Sequence, residues 1–303
     1  MTAISFNSKA LARNVDSKWY HAGGHVMWLP TTFTGMSSTY AGEDMWTDGT
    51  DIYCARSVAS DTYKLDKATK TWSQVSVGFS SSTARYSVFH DGNITYACYN
   101  GSSTHAVYVF DTTTKRFTTK YTQDYPTHAF DIWYNGGDIY HSMNTGVVDD
   151  PAHNLKWNRS THKWEPVSMS FNPSLDGTYG LVGNAVWNYN GNSYVGDWDS
   201  DGNFLRLYKF NHSTSRWNET SWNGFCAVHG IDIWTDYDGN MIYSDGTVQY
   251  KMNTSNNTWK PYNRWYLMPS PYAGRQVWSD GESIYWSLHN PTWSEAHDYV
   301  LVR

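Results

Sequence analysis

Apolar and polar residues alternate in short runs along this chain, and no apolar run approaches the length of a membrane helix. Residues 232–263, DIWTDYDGNMIYSDGTVQYKMNTSNNTWKPYN, show the unit in full: an apolar strand, an Asp-Gly turn, a second strand, a third strand, a polar turn and a Trp opening a fourth. The unit recurs six times. Its first turn is Asp48-Gly49, Asp91-Gly92, Asn135-Gly136, Asn190-Gly191, Asp238-Gly239 and Asp280-Gly281. An aromatic precedes each turn (Trp46, Phe89, Trp133, Trp187, Trp234, Trp278), and a Tyr follows it (Tyr53, Tyr96, Tyr140, Tyr194, Tyr243, Tyr285). Such turns join antiparallel strands, because their positive φ angles match strand twist. Five copies carry a second turn, from Asp66 to Trp72, Asp111 to Phe117, Asn158 to Trp164, Asn211 to Trp217 and Asn253 to Trp259. There an Asx side chain folds back on its own backbone, and the closing aromatic packs between sheets.

Four antiparallel strands per copy predict an all-β chain, a six-bladed β-propeller of four-stranded antiparallel blades in one domain over residues 1–303. The blades fall near 40–75, 83–121, 127–168, 180–221, 228–263 and 272–303. The last copy stops after its third strand. The segment NVDSKWYHAG, with Trp19, is expected to supply the missing outer strand from residues 14–22 and so close the ring.

Composition agrees with strands. Trp numbers 17 and Tyr 24, which suits aromatic packing between sheets. A net charge of −6 provides no basic footprint, so nucleic acid is not an expected partner, and membrane insertion is not expected either. Cys54, Cys98 and Cys226 are too few and too widely spaced for a disulfide framework or a Cys-rich zinc site. The first residues, MTAISFNSKALARNVDSKW, lack the apolar core of a secretory signal.

The succession of an apolar strand, "DG", "IY", "YKLD" and "TW" resembles kelch-type propeller repeats over most of the chain. It departs from them where a Gly-Gly pair usually ends the second strand; IYCA, TYAC, IYHS, SYVG, IYSD and IYWS stand there instead. IWTDYDGNMIYSDGTVQYKMNTSNNTW is similar to the kelch-like repeats of bacteriophage structural and tail-fibre proteins. That resemblance implies a non-enzymatic virion component, on a tail fibre, capsid or related appendage at the outer surface of the particle, made in the host cytoplasm. Its implied partners are a host-surface glycan or receptor and other virion proteins.

In such blades the first and third turns emerge on one face, and the second turns and blade-to-blade connections on the other. The Tyr-to-third-strand separations on that second face vary from Tyr243–Tyr250 to Tyr140–Leu155, which marks it as the recognition face. Its candidate ligand-binding residues are His25, Trp28, Arg85, His128, Trp198, His229, Arg275, Trp286, His289 and Trp293. The competing reading is that these aromatics cap blade interfaces. Aligning the first strands puts Asp44, Asp131 and Asp232 in one column as candidate channel carboxylates. In GDWDSDGN, Asp197, Asp199 and Asp201 before Gly202 match the opening of a calcium loop, which makes calcium the one candidate cofactor. No G-x-S-x-G, H-E-x-x-H, P-loop or G-x-G-x-x-G motif is present. The alternative function is a sugar-acting, mutarotase-like enzyme with a pocket at the channel mouth around His128 and His229.

Overall fold

The structure, a computed structural model, describes residues 27–31, 33–35, 44–55, 61–79, 85–101, 104–124, 131–142, 154–172, 186–189, 191–198, 204–220, 232–235, 239–244, 249–253, 255–256, 258–261, 274–288 and 297–302. The strands are β1 (Met27–Thr31), then β2 (Asp44–Thr47), β3 (Ile52–Ala55), β4 (Thr62–Asp66) and β5 (Thr71–Val75) in the first blade. The second holds β6 (Arg85–Asp91), β7 (Ile94–Gly101), β8 (Thr104–Asp111) and β9 (Arg116–Thr122). The third holds β10 (Asp131–Asn135), β11 (Asp138–Ser142), β12 (Asn154–Asn158) and β13 (Lys163–Pro166). Next come β14 (Ser170–Asn172), β15 (Val186–Tyr189), β16 (Asn192–Trp198), β17 (Phe204–Asn211) and β18 (Arg216–Thr220). The fifth holds β19 (Asp232–Thr235), β20 (Met241–Ser244), β21 (Gln249–Asn253) and β22 (Thr258–Pro261), and the last β23 (Gly274–Ser279), β24 (Ile284–Leu288) and β25 (His297–Val302).

The expected ring of six uniform four-stranded antiparallel blades is corrected by this pairing. Five blades are four-stranded and antiparallel, whereas β14-β18-β17-β16-β15 is a five-stranded mixed sheet in which β14 runs parallel to β18. The cause is the way the chain enters the first four blades, where the incoming connection lies along the outer strand of the blade it is about to build. Trp72 N–H donates to Thr34 O at 2.7 Å, and Phe117 N–H to Val77 O at 2.8 Å. Trp164 N–H donates to the Gln123 side-chain oxygen at 2.9 Å. In the β14 sheet the same contact is long enough to become a strand.

The closing strand is also corrected. The fourth strand of the last blade is β1, paired with β25 from Met27↔Val302 to Thr31↔Asp298, and not the segment around Trp19, which lies outside the described residues.

Three seams between neighbouring blades are aromatic boxes. Trp46 stacks on Tyr53 at 4.1 Å, and the pair meets Phe110 and Phe117 of the next blade. Phe89 and Tyr96 meet Trp157 and Trp164, and Trp133 and Tyr140 meet Phe210 and Trp217 in the same manner. The β19–β20 hairpin departs from the pattern, with Trp234 opposite Ile242 and Ile233 opposite Tyr243. Its Tyr stands nine residues after the Trp rather than seven, and the pairing register is shifted by one residue from that of the other hairpins.

Gly35 shows how closely the entering chain fits. It has φ +89°, and a Cβ there would stand 2.0 Å from the Trp72 carbonyl oxygen. Gly35→Ala is expected to destabilise the fold by about 2 kcal/mol or more, read as a lower midpoint in chemical denaturation; an unchanged midpoint would show that the latch is slack.

Candidate functional site

The two faces differ in what their polar groups do. On the face of the first and third turns, Asx side chains tie their own loops. Asp48 Oδ1 accepts the N–H groups of Thr50 and Asp51, and Asp111 Oδ1 those of Thr113 and Thr114. Asn158, Asn211 and Asn253 each accept both the N–H and the hydroxyl of the Ser two residues on. The Asn-x-Ser motifs of these turns are thereby accounted for by turn chemistry.

The third turns also reach back across the seams. Lys115 Nζ lies 2.7 Å from Asp48 Oδ2, whose side chain is 0% exposed, and Arg159 Nε lies 2.8 Å from Asp91 Oδ1. His212 bonds Asn135 Oδ1, Asn135 Nδ2–H donates to Ser193 Oγ at 2.6 Å, and Ser193 donates to Asn188 Oδ1 at 2.5 Å. Lys67 Nζ reaches the Asp280 carbonyl, and Lys70 Nζ the Thr31 hydroxyl in β1. Burial alone would raise the Asp48 pKa, but the Lys115 hydrogen bond and the N–H groups of Asp51 and Thr50 outweigh it and hold the carboxyl below its usual range. Burial, then the Asp48 and Asp51 carboxylates, push the Tyr53 phenol up.

Sequence reasoning passed over these clasps. The usable signal lies one and four residues after the Asx of each third turn. Lys70, Lys115, His162 and Ser215 occupy the fourth position with φ between 50° and 58°, a region costly for residues with a Cβ. Lys70, Lys115 and His162 repay that cost by contacts to the preceding blade, His162 by stacking on Tyr121 and bonding Tyr96. Among the described residues Ser215 makes no hydrogen bond across its seam; Ser215→Gly is expected to stabilise by about 1 kcal/mol. Lys115→Gly should do the opposite, by about 2 kcal/mol, since it leaves the buried Asp48 carboxylate without its cation. Denaturation midpoints moving in the same direction would remove the clasp reading.

On the other face, several predicted residues are placed by strand and register. Asp44, Asp131 and Asp232 are the first residues of β2, β10 and β19, and Arg85 is the first of β6. These are the innermost strands: β2 lies beside β6, β10 beside β15, and β19 beside β23. Arg275 falls at the irregularity between Gly274 and Gln276 in β23. Trp286 sits in β24 between Val277 and Tyr299. Trp28 is corrected: it belongs to β1, opposite Leu301, and not to a connecting loop. Asp197 is a strand residue opposite Arg206, and Trp198 ends β16 opposite Phe204. The calcium-like stretch is therefore strand up to Trp198. His25, His128, His229, His289, Trp293, Asp199 and Asp201 lie outside the described residues. Among the described residues no group of three metal-ligating side chains occurs.

The second-turn hairpins on this face are unequal. The β7–β8 ladder continues to Gly101↔Thr104, five residues beyond Tyr96, whereas β3–β4 stops at Ala55↔Thr62, two beyond Tyr53. The row Arg85–Asn100–His105 crosses the taller hairpin.

No model of a protein family and no curated protein matches the sequence. Solved structures do. A PQQ-bound aldose sugar dehydrogenase from Streptomyces coelicolor is 13% identical with a TM-score of 0.58, covering 93% of this chain and 99% of that one. YjhT is 14% identical with a TM-score of 0.55, over 89% and 96%. A luciferin-regenerating enzyme is 11% identical with a TM-score of 0.54, over 88% and 92%. These neighbours include enzymes, and at such identities the likeness speaks for architecture alone: the chain has the fold of a β-propeller.

Proposed function

We propose that the chain is a non-enzymatic binding or assembly propeller, carried at the surface of a virion, whose contact surface is the face of the second turns and blade connections. The observation that carries this reading is the division of labour between the faces. On one face the turn carboxylates, amides and cations are engaged in closing turns and seams. On the other, ladders of unequal height stand on the same scaffold, the arrangement by which loops acquire recognition roles. A host-surface glycan or receptor is the favoured ligand class, with other virion proteins as the assembly partner.

The test is a glycan array probed with the purified chain. Binding to a restricted set of surface glycans is expected, weakened by Arg85→Ala, one pair below the tip of the tall hairpin. Silence across the array would remove the glycan reading and leave assembly.

A further inference from the structure

His90, near the end of the innermost strand β6, combines two features. Its ring is buried, at 8% exposure, with Nδ1 against the Thr95 hydroxyl at 3.1 Å and, among the described residues, no partner for Nε2. Its peptide is held by the next blade at both polar atoms: His90 N–H donates to the Tyr134 phenol oxygen at 2.9 Å, and the Tyr134 hydroxyl donates to His90 O at 3.0 Å. Ring and clasp belong to one residue, so a ring displaced further than a change of rotamer allows pulls on the backbone that Tyr134 holds.

We propose that the β6–β10 joint is an acid-triggered latch: charging of His90 draws its ring toward water, releases the Tyr134 clasp and opens the seam between these two blades ahead of the others. A charged imidazole donates from both nitrogens. Thr95 supplies one acceptor, and the second proton has none among the described residues. Nor does a described carboxylate compensate the charge. On the surrounding strands Asp91 is paired with Arg159, Asp48 with Lys115 and Asp138 with Lys156, and the nearby Tyr96 and Tyr134 are neutral phenols. Burial alone pushes the His90 pKa down from 6.5 to about 4. The unfolded chain therefore takes up the proton first. The contribution of the neutral ring to stability is complete above pH 6.5 and is lost as the pH falls toward 4.

Two buried thiols report on the idea. Cys98 lies in the core of the β6–β10 seam with Phe89 and Ile132, whereas Cys54 lies in a different seam with Tyr63 and Tyr285. The experiment is labelling of the native full chain with 4,4′-dithiodipyridine, which reacts in acid, at pH 7.0 and pH 4.5, with each thiol assigned by peptide mass spectrometry. The Cys98 rate relative to Cys54 is expected to rise roughly tenfold or more at pH 4.5, and to stay flat in His90→Gln. Tyr134→Phe, which removes both clasp bonds, should label rapidly at Cys98 at pH 7.0 as well. An equal rise at both thiols, no rise at either, or the same acid response in His90→Gln would each overturn the latch. Should His90→Gln fail to fold, Tyr134→Phe still tests it, because a wild-type rate at pH 7.0 is incompatible with the clasp.

Discussion

A chain that begins at residue 32 is expected to lose the cooperative melt of the full protein and to associate in solution. The cut removes β1, whose five residues pair along their length with β25, and leaves β25 as an uncovered edge. It also removes Thr31, the acceptor for Lys70, and so loosens the junction between the last blade and the first. A chain beginning at residue 21 keeps all five pairs and is the reference for the cut. Calorimetry with light scattering distinguishes the outcomes. A monomeric truncation at residue 32 with an unchanged midpoint would show that β1 does not close the ring.

Trp133→Ala should cost about 3–5 kcal/mol, the range for emptying a buried aromatic site. Trp133 is 1% exposed, stacks on Tyr140 at 4.4 Å, and meets Phe210 and Trp217 of the neighbouring sheet at 5.3 Å each. Rigid strands on both sides limit collapse into the void. For a chain of this length the loss corresponds to a midpoint lower by roughly 6 °C. Trp133→Phe should recover most of it, and an alanine variant within a degree of wild type would mean that the box is not a unit of stability.

The repeat, its turns and the hairpin half of each aromatic box were legible in the sequence because each depends on residues close together in the chain. Asp66 and Asn158 fold onto N–H groups two and three residues away, and Trp46 meets the Tyr53 that follows it in the same hairpin. The closing strand was misplaced because Met27–Thr31 contains Pro30, which argues against a strand until the strand is known to be outermost. The clasps were missed for another reason: whether Lys115 is a solvated turn residue or the partner of a buried carboxylate depends on Asp48, 67 residues earlier. The slipped register around Trp234 was visible as a change in spacing. The candidate binding face is the least legible part, since loops free of the repeat carry no periodic signal.

The pairing of β1 with β25 also sets the order of events in the cell. Residues 27–31 leave the ribosome early and wait for residues 297–302 before they find their partners. At about 5–20 residues per second that interval is of the order of tens of seconds, during which the blades in between can form as hairpin-built units. Ring closure is then a single late, long-range step, slow in the way that distant contacts are slow. Until it occurs, the nascent chain carries two unpaired edges, and its exposure to misassembly is set by translation speed as much as by the stability of the finished ring.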